Sequence, residues 1–160
     1  MHDCKNELKE WRQLVGATIL SFGDIELITL KCLSRLPSDR IFESTSKLPF
    51  ATRIDLIIEI IEGKRKKLKS AEVIVEKLKR AKKLVEYRNV LAHNPLVVDI
   101  YKNKTTGDIA VEHLIYAERK KKKRIDIKRL KELSLEVEDI ASELYTAFSR
   151  YVSIIDKNNL

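Results

Sequence analysis

Glycine and proline are scarce in this chain, four and three residues among 160. A turn-rich β-sandwich or barrel needs many such breakers, so their shortage points to long helices instead. Aromatic residues make up 6%, which leaves little material for a base-stacking surface. No uninterrupted apolar run approaches the ~20 residues that span a bilayer. The opening stretch His2-Asp3-Cys4-Lys5-Asn6-Glu7 has no apolar core behind a basic start, as a secretory leader would. No membrane partner is therefore expected, and the expected compartment is the cytoplasm. The two cysteines, Cys4 and Cys32, and the scattered His2, His93 and His113 offer no metal-ligand spacing. Neither a metal nor another cofactor is expected. Cys32 sits among Leu30, Leu33 and Leu36 and reads as a small core residue. A reducing compartment argues against a structural disulfide.

Charge is what the chain has in quantity. Charged residues make up 35%, with a net charge of +8, which suits an acidic partner such as nucleic acid or an anionic membrane surface. The excess is local. From Lys64 to Lys83 there are ten Lys or Arg against Glu72 and Glu76, and from Glu118 to Lys131 nine against Glu118 and Asp126. Two runs stand out, Lys64-Arg65-Lys66-Lys67 and Arg119-Lys120-Lys121-Lys122-Lys123-Arg124. They are candidate contacts to an RNA backbone, since few aromatics are interleaved for stacking. A solvated charged face is the plainer use of such runs.

At this length a single domain, 1–160, with one core is expected. The predicted architecture is all-α, four main helices with one β-hairpin. The first helix should run from about Lys5 to Leu36, on the stripe Leu8, Trp11, Val15, Ile19, Phe22, Ile25, Thr29, Leu33 and Leu36. Glu26 falls beside that stripe and reads as a boundary carboxylate paired with Arg or Lys. Pro37 starts a loop through about Leu48. Pro49 suits the first turn of the second helix, whose buried face is Ile54, Ile57, Ile58 and Ile61, and Gly63 suits a left-handed stop. The third helix starts near Ser70, a candidate N-cap, on the stripe Ile74, Leu78, Ala81, Val85, Arg88 and Ala92. Residues 96–101 and 109–117 read as the strands of a hairpin around a turn at 102–108. Asp126 caps the fourth helix, which should reach about Ile155 on the stripe Leu130, Leu133, Val137, Ile140, Leu144, Ala147, Tyr151 and Ile154.

One stretch breaks its own pattern. In Glu86-Tyr87-Arg88-Asn89-Val90-Leu91-Ala92-His93-Asn94-Pro95, Arg88 takes a position where the stripe asks for an apolar side chain. Local rules are most often broken at functional sites, although an arginine paired with a carboxylate or capping carbonyls would break them equally. Pro95 disfavours helix at Asn94, so the helix should end near His93. Asn89 and His93 are one turn apart on one face. Arg88 lies about 140° round the helix from His93, at roughly 3.6 residues per turn. His93 also has a plain use, since a cation at a helix C-terminus complements the dipole by roughly 0.3–1 kcal/mol.

Arginine, a polar residue, three variable residues and histidine resemble the signature of the HEPN family (higher eukaryotes and prokaryotes nucleotide-binding). Arg88, Asn89 and His93 match it. The resemblance implies a small helical bundle that dimerises and brings two such motifs together. It implies a metal-independent endoribonuclease cleaving single-stranded RNA, in a defence or toxin–antitoxin setting, with an antitoxin-like protein as a candidate partner. It also leaves open a module that binds RNA, a nucleotide or a protein without cutting. Some HEPN-like bundles carry a polar residue in the first helix near the motif, which makes Glu26 a candidate supporting residue. The chemistry fits these side chains. Histidine transfers protons near neutral pH, a guanidinium matches phosphate oxygens, and an amide can orient either. One set lacks a second acid–base group, which a two-fold homodimer would supply.

The basic runs carry their own test. Neutralised phosphates release counterions, so RNA affinity should fall steeply with salt. Replacing Lys120 to Lys123 with glutamine should flatten the slope of log affinity against log salt and leave melting unchanged. An unchanged slope assigns that run to solubility alone.

Overall fold

A computed structural model describes residues 4–35, 42–63, 68–117 and 124–158. The elements in order are α1 (Cys4–Arg35), α2 (Phe42–Thr45), α3 (Phe50–Glu62), α4 (Lys69–His93), β1 (Leu96–Lys102), β2 (Ile109–Ile115) and α5 (Ile127–Asn158). The chain is mostly helical, with a two-stranded antiparallel sheet between α4 and α5. The four long helices and the hairpin fall where periodicity places them. The one-turn α2 interrupts the stretch expected to be loop.

The chain divides into two compact units, residues 1–19 with 86–136 and residues 20–85 with 137–160. The first holds the start of α1, the end of α4, the hairpin and the start of α5. Its buried set is Trp11, Val90, Leu91, Leu114, Ile115, Ile125, Leu130 and Leu133. Leu96 pairs with Ile115 and Lys102 with Ile109, so Val98, Ile100, Val111 and Ile109 share one face. A lone hairpin is marginal in water. Here only its base is covered: Leu114 and Ile115 are buried, while Ile100 and Ile109 stay 69% exposed. The second strand stops at Ile115 rather than Ala117, and Ile115 and Ile125 exchange backbone hydrogen bonds at 3.0 and 2.9 Å. In the turn, Asn103 Oδ1 accepts from the amides of Thr105 and Thr106, and Gly107 takes a φ of 76°, which glycine adopts at least cost. His113 is half-buried on the hairpin, its Nδ1 2.9 Å from Glu7 Oε1.

The second unit buries Phe22, Ile25, Ile28, Cys32 and Leu33 of α1, the four predicted isoleucines of α3, Ile74, Leu78, Ala81 and Leu84 of α4, and Ile140, Leu144, Phe148 and Tyr151 of α5. Each Leu, Ile or Phe among them contributes about 1.5–3 kcal/mol when taken from water. Cys32 is core as expected, and burial pushes its thiol pKa up to about 12, which leaves it inert. Two cations are buried here that periodicity does not single out. Arg53, 8% exposed, donates to Ser46 O at 3.0 Å and reaches Glu26 Oε2 at 3.4 Å, tying the segment after α2 to α1. Lys77, 6% exposed, meets Glu143 Oε1 at 2.8 Å.

Two local expectations are corrected and a third is met. Gly63 follows α3 in a right-handed conformation, φ −72° and ψ −13°; its amide simply continues the ladder to Glu59 O at 2.9 Å. Ser70 does not cap α4. It lies inside the first turn with its hydroxyl buried and unpartnered among the described residues, while Leu68 O accepts from Ala71 and Glu72. Asp126 does cap α5, Oδ1 accepting from the Arg129 amide at 2.6 Å. Among the described helices α1, from Asn6 to Arg35, is long and apolar enough to cross a membrane on length and composition alone; Asp24 and Glu26 interrupt its apolar sequence.

The Lys77 hydrogen bond holds the Glu143 carboxyl below the usual range, and the same bond raises Lys77. The Glu143 contribution is therefore present above an unfolded carboxyl pKa of about 4.3 and is lost as pH falls through the lower folded value. Glu143→Gln should destabilise the protein at pH 7, and the gap from wild type in urea melts should close at acid pH. A gap that persists unchanged at pH 2 would place the effect in packing instead.

Candidate functional site

The site is built on the end of α4. Pro95 supplies no amide and disfavours helix at Asn94, and α4 ends at His93. The Asn94 backbone amide and its Nδ2 both donate to Val90 O, at 3.1 and 2.9 Å. The helix end is thus closed by the residue that follows the histidine. Arg88 Nη1 donates to Asn89 Oδ1 at 3.2 Å, so two of the three motif side chains are joined directly. Asn89 and His93 are both exposed, at the one-turn spacing of a shared face.

The stripe along α4 runs differently at this end than predicted. Leu84, Val90 and Leu91 are buried, Val85 is half-buried, and Ala92 is exposed. Arg88 sits four residues after Leu84 and three before Leu91, on their side of the helix, but only half-buried. Its stem can cover apolar surface while its head stays toward water. Arg88 is therefore a margin residue rather than a buried ion.

A second guanidinium stands on the neighbour of Arg88. Arg129 of α5 lies over the Tyr87 ring, 4.9 Å from its centroid, and reaches Glu132 Oε2 at 3.3 Å. Sequence reading missed this pair because a stack between residues 42 positions apart leaves no local pattern. Arg124, expected on the RNA backbone, is engaged by the hairpin. Its Nη1 donates to the Tyr101 hydroxyl at 3.2 Å, and it lies 5.5 Å from the Tyr116 centroid. Tyr101 in turn donates to Asp99 at 3.0 Å, which raises its pKa. The other members of the two basic runs, Lys64 to Lys67 and Arg119 to Lys123, lie outside the described residues.

The positive balance counted along α4 is largely met within its unit. Besides Lys77, Lys79 meets Glu62 at 2.8 Å, Lys82 meets Asp55 at 2.6 Å and Arg80 meets Asp139 at 3.7 Å. Glu26, the candidate supporting residue, carries the Arg53 ion pair, the partner type that a boundary carboxylate calls for. Among the described residues no three His, Cys, Asp or Glu side chains gather as a metal-holding group. No protein-family model, curated protein or solved structure matches the chain.

The exposure of the motif has a stability consequence. His93→Ala and Asn89→Ala should each leave the unfolding free energy within about 0.5 kcal/mol of wild type, as surface substitutions do. Arg88→Lys keeps stem and charge and should do the same. A loss above 3 kcal/mol in urea melts for any of the three would show a buried network at the helix end.

Proposed function

We propose that this protein is a metal-independent endoribonuclease of HEPN type that cleaves single-stranded RNA as a homodimer. The observation that carries the reading is the end of α4: Arg88 joined to Asn89 at 3.2 Å, with Asn89 and His93 exposed where Pro95 stops the helix. Solvent-accessible guanidinium, amide and imidazole groups on successive turns supply what RNA transesterification asks of a protein. The nucleophile is the substrate's own 2′-hydroxyl. His93 takes its proton, and the 2′-oxygen bonds to phosphorus. Arg88 offers planar donors to the non-bridging oxygens as charge builds there. The bond from phosphorus to the 5′-oxygen breaks, and that oxygen needs a proton. The partner subunit's His93, brought across a two-fold axis, would give it. Asn89 orients Arg88 through their hydrogen bond. The products are a 2′,3′-cyclic phosphate and a 5′-hydroxyl. A nuclease with so few requirements suits a defence or toxin–antitoxin system in which a partner protein keeps it silent.

Purified protein incubated with single-stranded RNA in excess chelator should cut it and leave cyclic-phosphate ends. His93→Ala should abolish the cutting. Arg88→Lys should lower it strongly, because a point charge cannot replace the planar fork, and Asn89→Ala should fall between. Light scattering at micromolar concentration should give a dimer for each. Wild-type cleavage by His93→Ala would remove the active site from α4.

A further inference from the structure

We propose that the cleft beside the motif, walled by the start of α1, the end of α4 and the base of the hairpin, takes one nucleobase of the bound RNA; this rests on the ribonuclease reading for its substrate. The cleft measures about 580 Å³, and Trp11, Arg12, Gly16, Leu91, Asn94 and Ile115 are among its lining residues. That is within the usual range for small-molecule pockets and roomy enough for a base with its sugar. Leu91 and Asn94 belong to the same helix end as His93, and Asn94 is the next residue in the chain. Arg88 lies three residues before Leu91, on the side of α4 that walls the cleft, so a phosphate held by Arg88 leaves its base on the cleft side of the helix.

Two features favour a base over other occupants. The walls are mostly apolar, and single-stranded RNA is recognised by splaying bases onto such surfaces and reading their edges. Two polar groups are open. Among the described residues Arg12 has no ion-pair or hydrogen-bond partner, and Asn94 Oδ1 accepts no hydrogen bond while Nδ2 is held by Val90 O. An exocyclic amine on a base can donate to that oxygen, and a guanidinium can stack on the ring or meet a phosphate. An apolar side chain from a protein would cover both and satisfy neither. Gly16 lines the opening, and a Cβ there would meet nothing within 4 Å, so a larger side chain can be placed there without displacing the protein.

Trp11 is the single tryptophan of the chain and 2% exposed, so its fluorescence reports on the cleft. The full-length protein is titrated with adenosine 5′-monophosphate and with a ten-residue oligoadenylate. Wild type should respond to both. Gly16→Phe fills the opening and should lose the response to the monophosphate and bind the oligonucleotide at least tenfold more weakly. Gly23→Phe is the control, equally open at its Cβ but outside the cleft lining, and should behave as wild type. Should Gly16→Phe fold poorly, Arg12→Gln changes one exposed side chain and should weaken the monophosphate at least threefold. RNA binding or cleavage that both cleft variants retain at wild-type strength overturns the cleft and leaves the ribonuclease reading standing. A monophosphate response lost in Gly16→Phe, without any RNA cleavage, supports the cleft as a nucleotide site and removes the ribonuclease. No response of wild type to either ligand overturns the cleft, and RNA cleavage measured alongside decides the other reading separately.

Discussion

The end of α4 rests on one covalent fact, the proline at position 95. Without an amide at 95, and with helix disfavoured at 94, α4 ends at His93 and its last rung is the Asn94 amide. Asn94 then uses two donors on one carbonyl, Val90 O, to close the last turn, and the chain leaves directly into β1 at Leu96. That placement exposes His93 at a helix end, sets Asn89 one turn below it, and puts the hairpin immediately after the motif. Asn94 and Leu96 also line the neighbouring cleft, so the same stop shapes both candidate sites.

Electrostatics in the second unit follow a different logic from a count along the chain. Read as a window, α4 is a strongly basic rod. In three dimensions Asp55 and Glu62 of α3 and Asp139 and Glu143 of α5 stand against Lys82, Lys79, Arg80 and Lys77. The exposed pairs among them are worth little singly. Lys77 is different, because its stem is packed away while its ammonium meets the half-exposed Glu143 carboxylate at 2.8 Å. Helix α4 is thus a structural polyelectrolyte through most of its length.

The hairpin shows how a small sheet is anchored. Its base is buried and joined by the Ile115–Ile125 bridge, and His113 meets Glu7 of α1. Its distal rungs project Val98, Ile100, Ile109 and Val111 into solvent. Tyr101, Asp99, Arg124 and Tyr116 brace it through hydrogen bonds and a cation–π contact. Arg124, which belongs to a basic run in sequence, is in this way a strut of the sheet.

The helices, the hairpin and the point where α4 stops were legible in the sequence, because periodicity, proline and N-cap chemistry act between residues a few positions apart. The isoleucines of α3, the apolar stripe of α5, the Asp126 cap and the placement of Arg88, Asn89 and His93 at a helix end all follow from such short-range rules. What needed the tertiary structure depends on residues far apart in the chain. Periodicity does not single out Arg53 and Lys77, which meet Glu26 and Glu143 only on folding. The stripe of α4 rolls from Ala92 to Leu91 because burial is decided by what packs against a helix, not by the helix alone. The division into two units, the Arg129–Tyr87 stack and the cleft joining Trp11, Arg12 and Gly16 to Asn94 each require segments that meet only on folding. Spacing along one helix is local geometry; a pocket is a property of several elements at once.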